Sequence, residues 1–361
     1  MRILFVIAHF SIKGGGASKM FAWVANQFAK DGHDVTIYTH TTRQTGDLFP
    51  IEPNIKVIST TPQQNSCFLY PIPHIRRIIK ETSPHIVVAF KYDSNLYCIL
   101  AKMFMNVPIC ICERGDPNVI NKMPFKFKIS KWMTRFTDSA VFQLQQAADF
   151  YSWIKGFKKV IPNPVIKPKV QVCKPFMLRN NEICCSSRIT FGQKRQDVLI
   201  RAFKIVSESH PEMSLKLIGD GPDLETGKNL AESLGIGDKV HFIGQVNSPL
   251  TQMVDSKLFV LSSDYEGIPN SLTEAMAAGL PCISTDVSPG GARLLIDQSK
   301  NGIIVPCNNP EAMAKAIIFM LEHPDDADLM GAEAKMITER FAEERVYNMW
   351  KSFFHSIVTN R

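Results

Sequence analysis

Short apolar runs alternate with stretches of helical periodicity along nearly the whole chain. In the first half the runs lie at residues 3–8, 35–39, 86–89, 109–111, 140–142 and 160–161. Each has the length of a strand and the unbroken hydrophobicity of one buried on both faces. The pattern resumes at 183–186, 215–218, 240–243, 258–261, 282–284 and 303–305. Such alternation is the signature of strand–helix units around a parallel sheet. Between the two sets lies a segment carrying Pro162, Pro164, Pro168 and Pro175 with little periodicity, which predicts a domain boundary. The expectation is therefore two Rossmann-like α/β domains, residues 1–165 and 166–361, facing across a cleft at the carboxyl ends of their strands. Residues 339–356, with Val346, Met349, Trp350, Phe353 and Phe354, predict an amphipathic last helix that needs a surface to cover.

Length and composition agree with that division. The chain has 361 residues, of which 45% are hydrophobic and 21% charged, the balance of a folded globular protein rather than a disordered or fibrous one. No apolar run reaches the ~18–20 residues of a membrane span, because Lys102 interrupts the longest, at 98–112. The opening Met1-Arg2-Ile3-Leu4-Phe5-Val6 has some letters of a signal peptide, but a buried strand explains them equally and the helical pattern continues beyond it. The nine cysteines are scattered and lack the spacing of a zinc site, so they are expected to be reduced thiols in a cytoplasmic protein.

Charge separates the two halves. Residues 1–165 hold 20 basic and 10 acidic side chains, a net +10, whereas 166–361 hold 21 and 24, a net −3. Between Pro117 and Thr137 stand Lys122, Lys126, Lys128, Lys131 and Arg135 with no acid among them. Met123, Phe125, Phe127, Ile129, Trp132, Met133 and Phe136 are interleaved with them. This suits docking on the anionic inner face of a cytoplasmic membrane. The plainer reading is a helix with its apolar face in the core and its basic face in water. Nucleic acid ranks last, since no binding motif accompanies the charge.

The densest chemistry is Asp264-Tyr265-Glu266-Gly267-Ile268-Pro269-Asn270-Ser271-Leu272-Thr273-Glu274, between the apolar run 258–261 and an apolar helix. A strand, a tight Gly/Pro loop and a helix N-terminus make a place for an anion such as a diphosphate. Ser271 and Glu274 also have the spacing of a capping box, and Glu266 could be a solvated loop acid. A second cluster, Arg188 and Lys194, follows the run 183–186, where fixed cations would stabilise a departing phosphate. A third, Lys13-Gly14-Gly15-Gly16-Ala17-Ser18, permits close approach of backbone to ligand. It is not the dinucleotide fingerprint, and His40 rather than an acid ends the second run, which counts against a nicotinamide enzyme.

Taken together, these segments resemble the GT-B glycosyltransferases of family 4. The match rests on Glu266-x7-Glu274, the Arg188/Lys194 turn, Gly15-Gly16-Ala17 ahead of Gly32-His33-Asp34-Val35, Asn163-Pro164-Val165, and Asn301-Gly302-Ile303-Ile304-Val305-Pro306. Glu113-Arg114-Gly115-Asp116-Pro117 is similar to members that build bacterial polysaccharides and lipid-linked oligosaccharides. The resemblance implies retaining transfer of a hexose or N-acetylhexosamine from a nucleotide sugar, usually UDP-linked, to a glycan or lipid-linked acceptor. It implies no metal or other cofactor, and a last helix packed back on the first domain. By the match, Glu266 faces the donor sugar, Glu274 the ribose, and Arg188 and Lys194 the diphosphate. Gly267, Ile268, Pro269, Asn270 and Ser271 line the sugar and phosphates, Gly15 and Gly16 the opposite wall, and Arg114 and Asp116 are candidates for handling the acceptor.

Three features depart from the family pattern or invite another reading. Ser18 stands where many relatives carry an acid, and Leu294 where many carry Glu. Asp326-Ala327-Asp328 spells a metal-binding motif of other transferases but reads as a helix start. A non-catalytic sugar-nucleotide-binding subunit of the same fold is the alternative function.

Overall fold

The computed structural model describes residues 1–10, 15–40, 49–60, 69–122 and 125–359. Lys13, Gly14 and Met123 of the motifs above lie outside the described residues. The chain divides into two compact units, Met1–Asn163 with Glu344–Arg361, and Pro164–Glu343. The boundary falls two residues before the expected one, and the last segment returns to the first unit.

Strands of the first unit are β1 (Arg2–Ile7), β2 (Asp34–Thr39), β3 (Lys56–Ser59), β4 (Ile86–Phe90), β5 (Ile109–Glu113), β6 (Ser139–Phe142) and β7 (Phe157–Val160). They form one sheet in the order β3-β2-β1-β4-β5-β6-β7, and every pairing is parallel. The opening apolar run is thus an inner strand, with Phe5 paired to Ile37 on one side and Val88 on the other. Two edge strands escaped the pattern. β3 was missed, and β7 was placed three residues late, because both edges carry exposed polar residues in place of a two-sided apolar run.

The second unit contains β8 (Asn180–Ser186), β9 (Ser214–Ile218), β10 (Val240–Gly244), β11 (Ser256–Leu261), β12 (Cys282–Thr285) and β13 (Ile303–Val305). Their order is β10-β9-β8-β11-β12-β13, again all parallel. In each sheet the first strand in sequence lies inside, and the order reverses beside it, between β1 and β4 and between β8 and β11. Loops leaving such neighbours run to opposite faces and open a crevice at the strand ends. Among the described residues eight cysteines are free thiols, no cluster could hold a metal, and no helix is long and apolar enough to cross a membrane.

Asp328 of the D-x-D triplet has a structural partner. The helix there is Pro324–Ala334, with Asp325 and Asp326 in its first turn. One turn on, Asp328 accepts from the Phe176 amide at 2.9 Å and pairs with Arg179, fastening the segment that leads into β8.

The last helix is Glu343–Thr359, four residues later than expected at its start. A separate short helix, Ile337–Arg340, ends at Phe341, whose carbonyl accepts from Val165 at 2.8 Å. The last helix lays Val346, Trp350, Phe353, Phe354 and Ile357 into the first unit's core. Phe354 stacks on Phe28 at 4.9 Å, and Trp350 lies 6.4 Å from Phe90. At its rim Tyr347 donates to Asp31 at 2.6 Å and Lys351 pairs with the same carboxylate at 2.8 Å. Trp350 is fully buried, so removing its ring leaves a cavity in a core that cannot close over it. Trp350→Ala should cost about 3–5 kcal/mol of stability in chemical denaturation. A loss below about 1 kcal/mol would show that the helix docks without energetic weight.

Candidate active site

In the second unit the site forms at the reversal between β8 and β11. Lys194 leaves the loop after β8 and Glu266 the loop after β11, and the two side chains meet in an ion pair. Ser263 donates to the same Glu266 oxygen at 2.9 Å. Ser262 donates to the Lys194 carbonyl at 2.7 Å, and the Asp264 amide to the Gln193 carbonyl at 2.9 Å, so the two loops are laced together. The Glu266 amide reaches Ser288 beyond β12 at 2.9 Å. Both charged side chains are mostly buried, which strengthens their attraction and makes loss of either partner costly to the other.

Arg195 braces this frame from the next position. It holds a left-handed backbone, φ 51°, before the helix Gln196–Ser209. Its guanidinium meets Asp264 at 2.9 Å, Asp197 at 3.1 Å and Asn308 at 2.6 Å, and the bonds to Asp197 and Asp264 raise its affinity for its proton. Strain of this kind persists only where the surroundings over-determine it. Arg188, by contrast, is exposed and has no ion-pair partner among the described residues.

The helix after the Glu266 loop is Asn270–Ala278, and no side chain caps it. Its flanking residue is Pro269, which places Ser271 inside the first turn, so the capping box does not form. A helix start of this kind favours an anion through its dipole. Glu274 lies half-buried one turn in. The loop Gly267, Ile268, Pro269 packs so tightly that a Cβ on Gly291 would come within 1.9 Å of the Gly267 carbonyl oxygen. Only glycine fits there. Leu294 is half-buried on the short helix Gly291–Leu295 that this contact seats.

Gly15, Gly16, Arg114 and Asp116 belong to the first unit. Gly15, at φ 71°, opens the helix Gly15–Lys30 after β1. Ser18 is buried and turns its hydroxyl to the His9 carbonyl at 3.4 Å. Asp116 is buried and accepts from the Asn118 amide at 2.9 Å, holding the turn Pro117–Lys122. Arg114 is drawn into packing, its guanidinium 5.5 Å from the Phe90 ring and 5.3 Å from Trp350 of the last helix. Burial lowers its pKa to about 10.

Sequence reasoning missed Glu113 beside it. This carboxyl is buried at the end of β5, where Asn95 donates to it at 2.5 Å, and burial pushes its pKa up to about 8. The neighbouring phenols of Tyr92 and Tyr151 are pushed up by burial and by Glu113. Lys91, at the end of β4, has φ 72°, a strained conformation for a residue other than glycine. His40 is buried after β2 with no hydrogen bond to either ring nitrogen among the described residues, and burial lowers its pKa to about 4. A polar residue at or directly after the end of an apolar strand was the signal available for Glu113, Lys91 and His40.

The chain matches the family Glycosyl transferases group 1 over residues 175–336 and Glycosyltransferase Family 4 over residues 14–166. The chain belongs to these glycosyltransferases. A glycosyltransferase of Haemophilus influenzae is 26% identical, covering 93% of this chain and 95% of its own. A Campylobacter jejuni α-1,4-N-acetyl-D-galactosaminyltransferase, named for an undecaprenol-linked substrate, is 23% identical and covers 97% of both chains. The HepE protein of Anabaena, solved with UDP and glucose, superposes with a TM-score of 0.79 at 18% identity, covering 99% of this chain and 100% of its own. The glycosyltransferase thus has the two parallel-sheet α/β domains of the GT-B fold and is a transferase.

Glu113 of this glycosyltransferase also shapes its stability. Its ordinary value is 4.5, so between about pH 4.5 and about 8 the unfolded chain gives up this proton while the folded one keeps it. The carboxyl's contribution is complete below that window and is lost as pH rises through it. Glu113→Gln should flatten that part of the stability profile in denaturation across pH, and an unchanged slope would show that Glu113 ionises normally in the fold.

Proposed function

We propose that this glycosyltransferase moves a hexose or N-acetylhexosamine, with retention, from a UDP-sugar to a glycan or lipid-linked glycan of a cell-surface polysaccharide. It would work as a peripheral protein on the inner face of the cytoplasmic membrane. The observation that carries the reading is the Lys194–Glu266 pair beside the uncapped helix Asn270–Ala278, at the sheet reversal of the second unit. UDP in the HepE structure and the undecaprenol-linked substrate named for the Campylobacter relative support the donor and acceptor classes.

In this reading the bond from the anomeric carbon to the β-phosphate oxygen breaks and one to the acceptor oxygen forms, the acceptor's proton leaving with the diphosphate. Negative charge gathers on the departing phosphate. Arg188, Lys194 and the N–H groups at Asn270 and Ser271 receive it. Positive charge gathers at the anomeric carbon, where Glu266 contributes more in the transition state than in the ground state. Glu274 accepts the ribose hydroxyls and binds both states alike.

The two acids should separate in kinetics. Glu266→Gln should lower kcat by roughly 10²-fold or more with UDP affinity little changed, and Glu274→Gln should mainly weaken UDP binding in calorimetric titration. Near-normal kcat for Glu266→Gln, or unaltered UDP binding by Glu274→Gln, would overturn these roles. Because protein groups already meet the diphosphate charge, turnover should survive EDTA; activity lost in chelator and restored by magnesium or manganese would assign that task to a metal.

A further inference from the structure

The helix Phe125–Met133 and the turn Thr134–Phe136 after it are built inside out. Their exposed positions include Phe125 at 74%, Ile129 at 40%, Trp132 at 50% and Phe136 at 55%. The spacing puts these four side chains on one stripe. Among the described side chains of this segment the fully buried ones are Ser130 and Thr134. Ser130 donates to the Tyr92 carbonyl at 2.5 Å, and Thr134 accepts from the Trp153 indole at 3.0 Å. Half-buried Phe127 also packs inward, its ring 6.0 Å from Tyr92, but the stripe of Phe125, Ile129, Trp132 and Phe136 faces out, so the core-facing reading does not hold for those four.

A second segment joins the stripe. After the helix Tyr92–Ala101 the chain turns at Phe104, which is 95% exposed and holds φ 64°, a conformation costly for an aromatic residue. Met103 beside it is half exposed. Between these tips an open, mostly apolar pocket of about 530 Å³ is lined by Ile99, Met103, Phe104, Met105, Met133 and Phe136 together with Lys102 and Asn106. Charge frames the apolar surface. Lys128 is exposed, Arg135 lies 4.6 Å over the Trp132 ring and Lys131 4.2 Å over Phe150. From Phe104 to Thr137 the sequence holds two acids, Glu113 and Asp116, and both are buried. Asp138, next along the chain, pairs with Lys102 and accepts from the Ile109 amide.

We propose that this surface inserts into an anionic lipid bilayer, with Phe104, Phe125, Trp132 and Phe136 entering the headgroup–acyl boundary and a lipid hydrocarbon chain occupying the pocket. Lys128 and Arg135 meet lipid phosphates. Projecting aromatic and aliphatic tips beside Lys128 and Arg135, which have no carboxylate partner among the described residues, match a surface that is apolar below and anionic above. Nucleic-acid bases could stack on the aromatic rings but would have no use for the exposed aliphatic Met103 and Ile129 or for an apolar pocket. The proposal rests on the membrane-borne acceptor of the proposed function for its purpose. Its test contains neither donor nor acceptor, so failure to bind lipid and failure to transfer sugar are separate results.

The full chain is floated with vesicles of phosphatidylcholine alone and of phosphatidylcholine with equimolar phosphatidylglycerol. Binding should require phosphatidylglycerol and fall with added salt. Lys128→Glu with Arg135→Glu should weaken it about tenfold or more, as should Phe104→Asn with Trp132→Ser and Phe136→Ser. These side chains are exposed, and thermal melts matching the parent would show that the variants fold. Phosphatidylglycerol brominated along its acyl chains should quench the protein's tryptophan fluorescence, and Trp132→Phe should remove most of that quenching. Binding that ignores the apolar variant, or no binding at all, would overturn the proposal. So would concentration-dependent dimers abolished by the same substitutions without vesicle binding, which would make the surface an interface between copies.

Discussion

Adjacency of β8 and β11 in the second sheet is the constraint on which the site depends. Ile183 pairs with Leu258 and Cys184 with Phe259, although more than seventy residues separate them. A first strand placed inside a parallel sheet sends its following loop to one face while its neighbour's loop goes to the other. Lys194 and Glu266 ride on those two loops. Their contact costs little backbone entropy because the sheet has already fixed both loop ends. Lacing by Ser262, Ser263, Arg195 and Asp264 then holds the remaining freedom.

Burial decides how the charged groups behave. Lys194 and Glu266 satisfy one another in a mostly buried pair, so neither charge is left without its counter-charge. Among the described residues the partner of the Glu113 carboxyl is the neutral amide of Asn95, and desolvation leaves the group protonated at neutral pH. A protonated carboxyl can donate a hydrogen bond, which an ionised one cannot.

Arg114 shows how a motif residue can serve the fold. Its cation lies against Phe90 and Trp350 and reaches the carbonyl of Ile161 and the side chain of Asn163, each at 3.4 Å. It thereby joins the end of β5, the last helix and the segment leaving β7. Two stretches of sequence nearly 190 residues apart close the first unit's core around it.

Sequence alone determined the parallel α/β class, most inner strands, the Pro-rich boundary and the segments holding Arg188, Lys194, Glu266 and Glu274. Strands buried on both faces must be apolar throughout, and loops that bind anions need glycine, cations and a free helix start, so each leaves a local mark. Edge strands β3 and β7 left none, because water on one side relaxes that demand. Only the tertiary structure decided that Lys194 meets Glu266, that Ser271 lies too far into its helix to cap it, and that Glu113 is desolvated. It also decided which way the helix Phe125–Met133 faces. Periodicity reports that one side of a helix differs from the other, while the neighbours it packs against decide which side is turned to water.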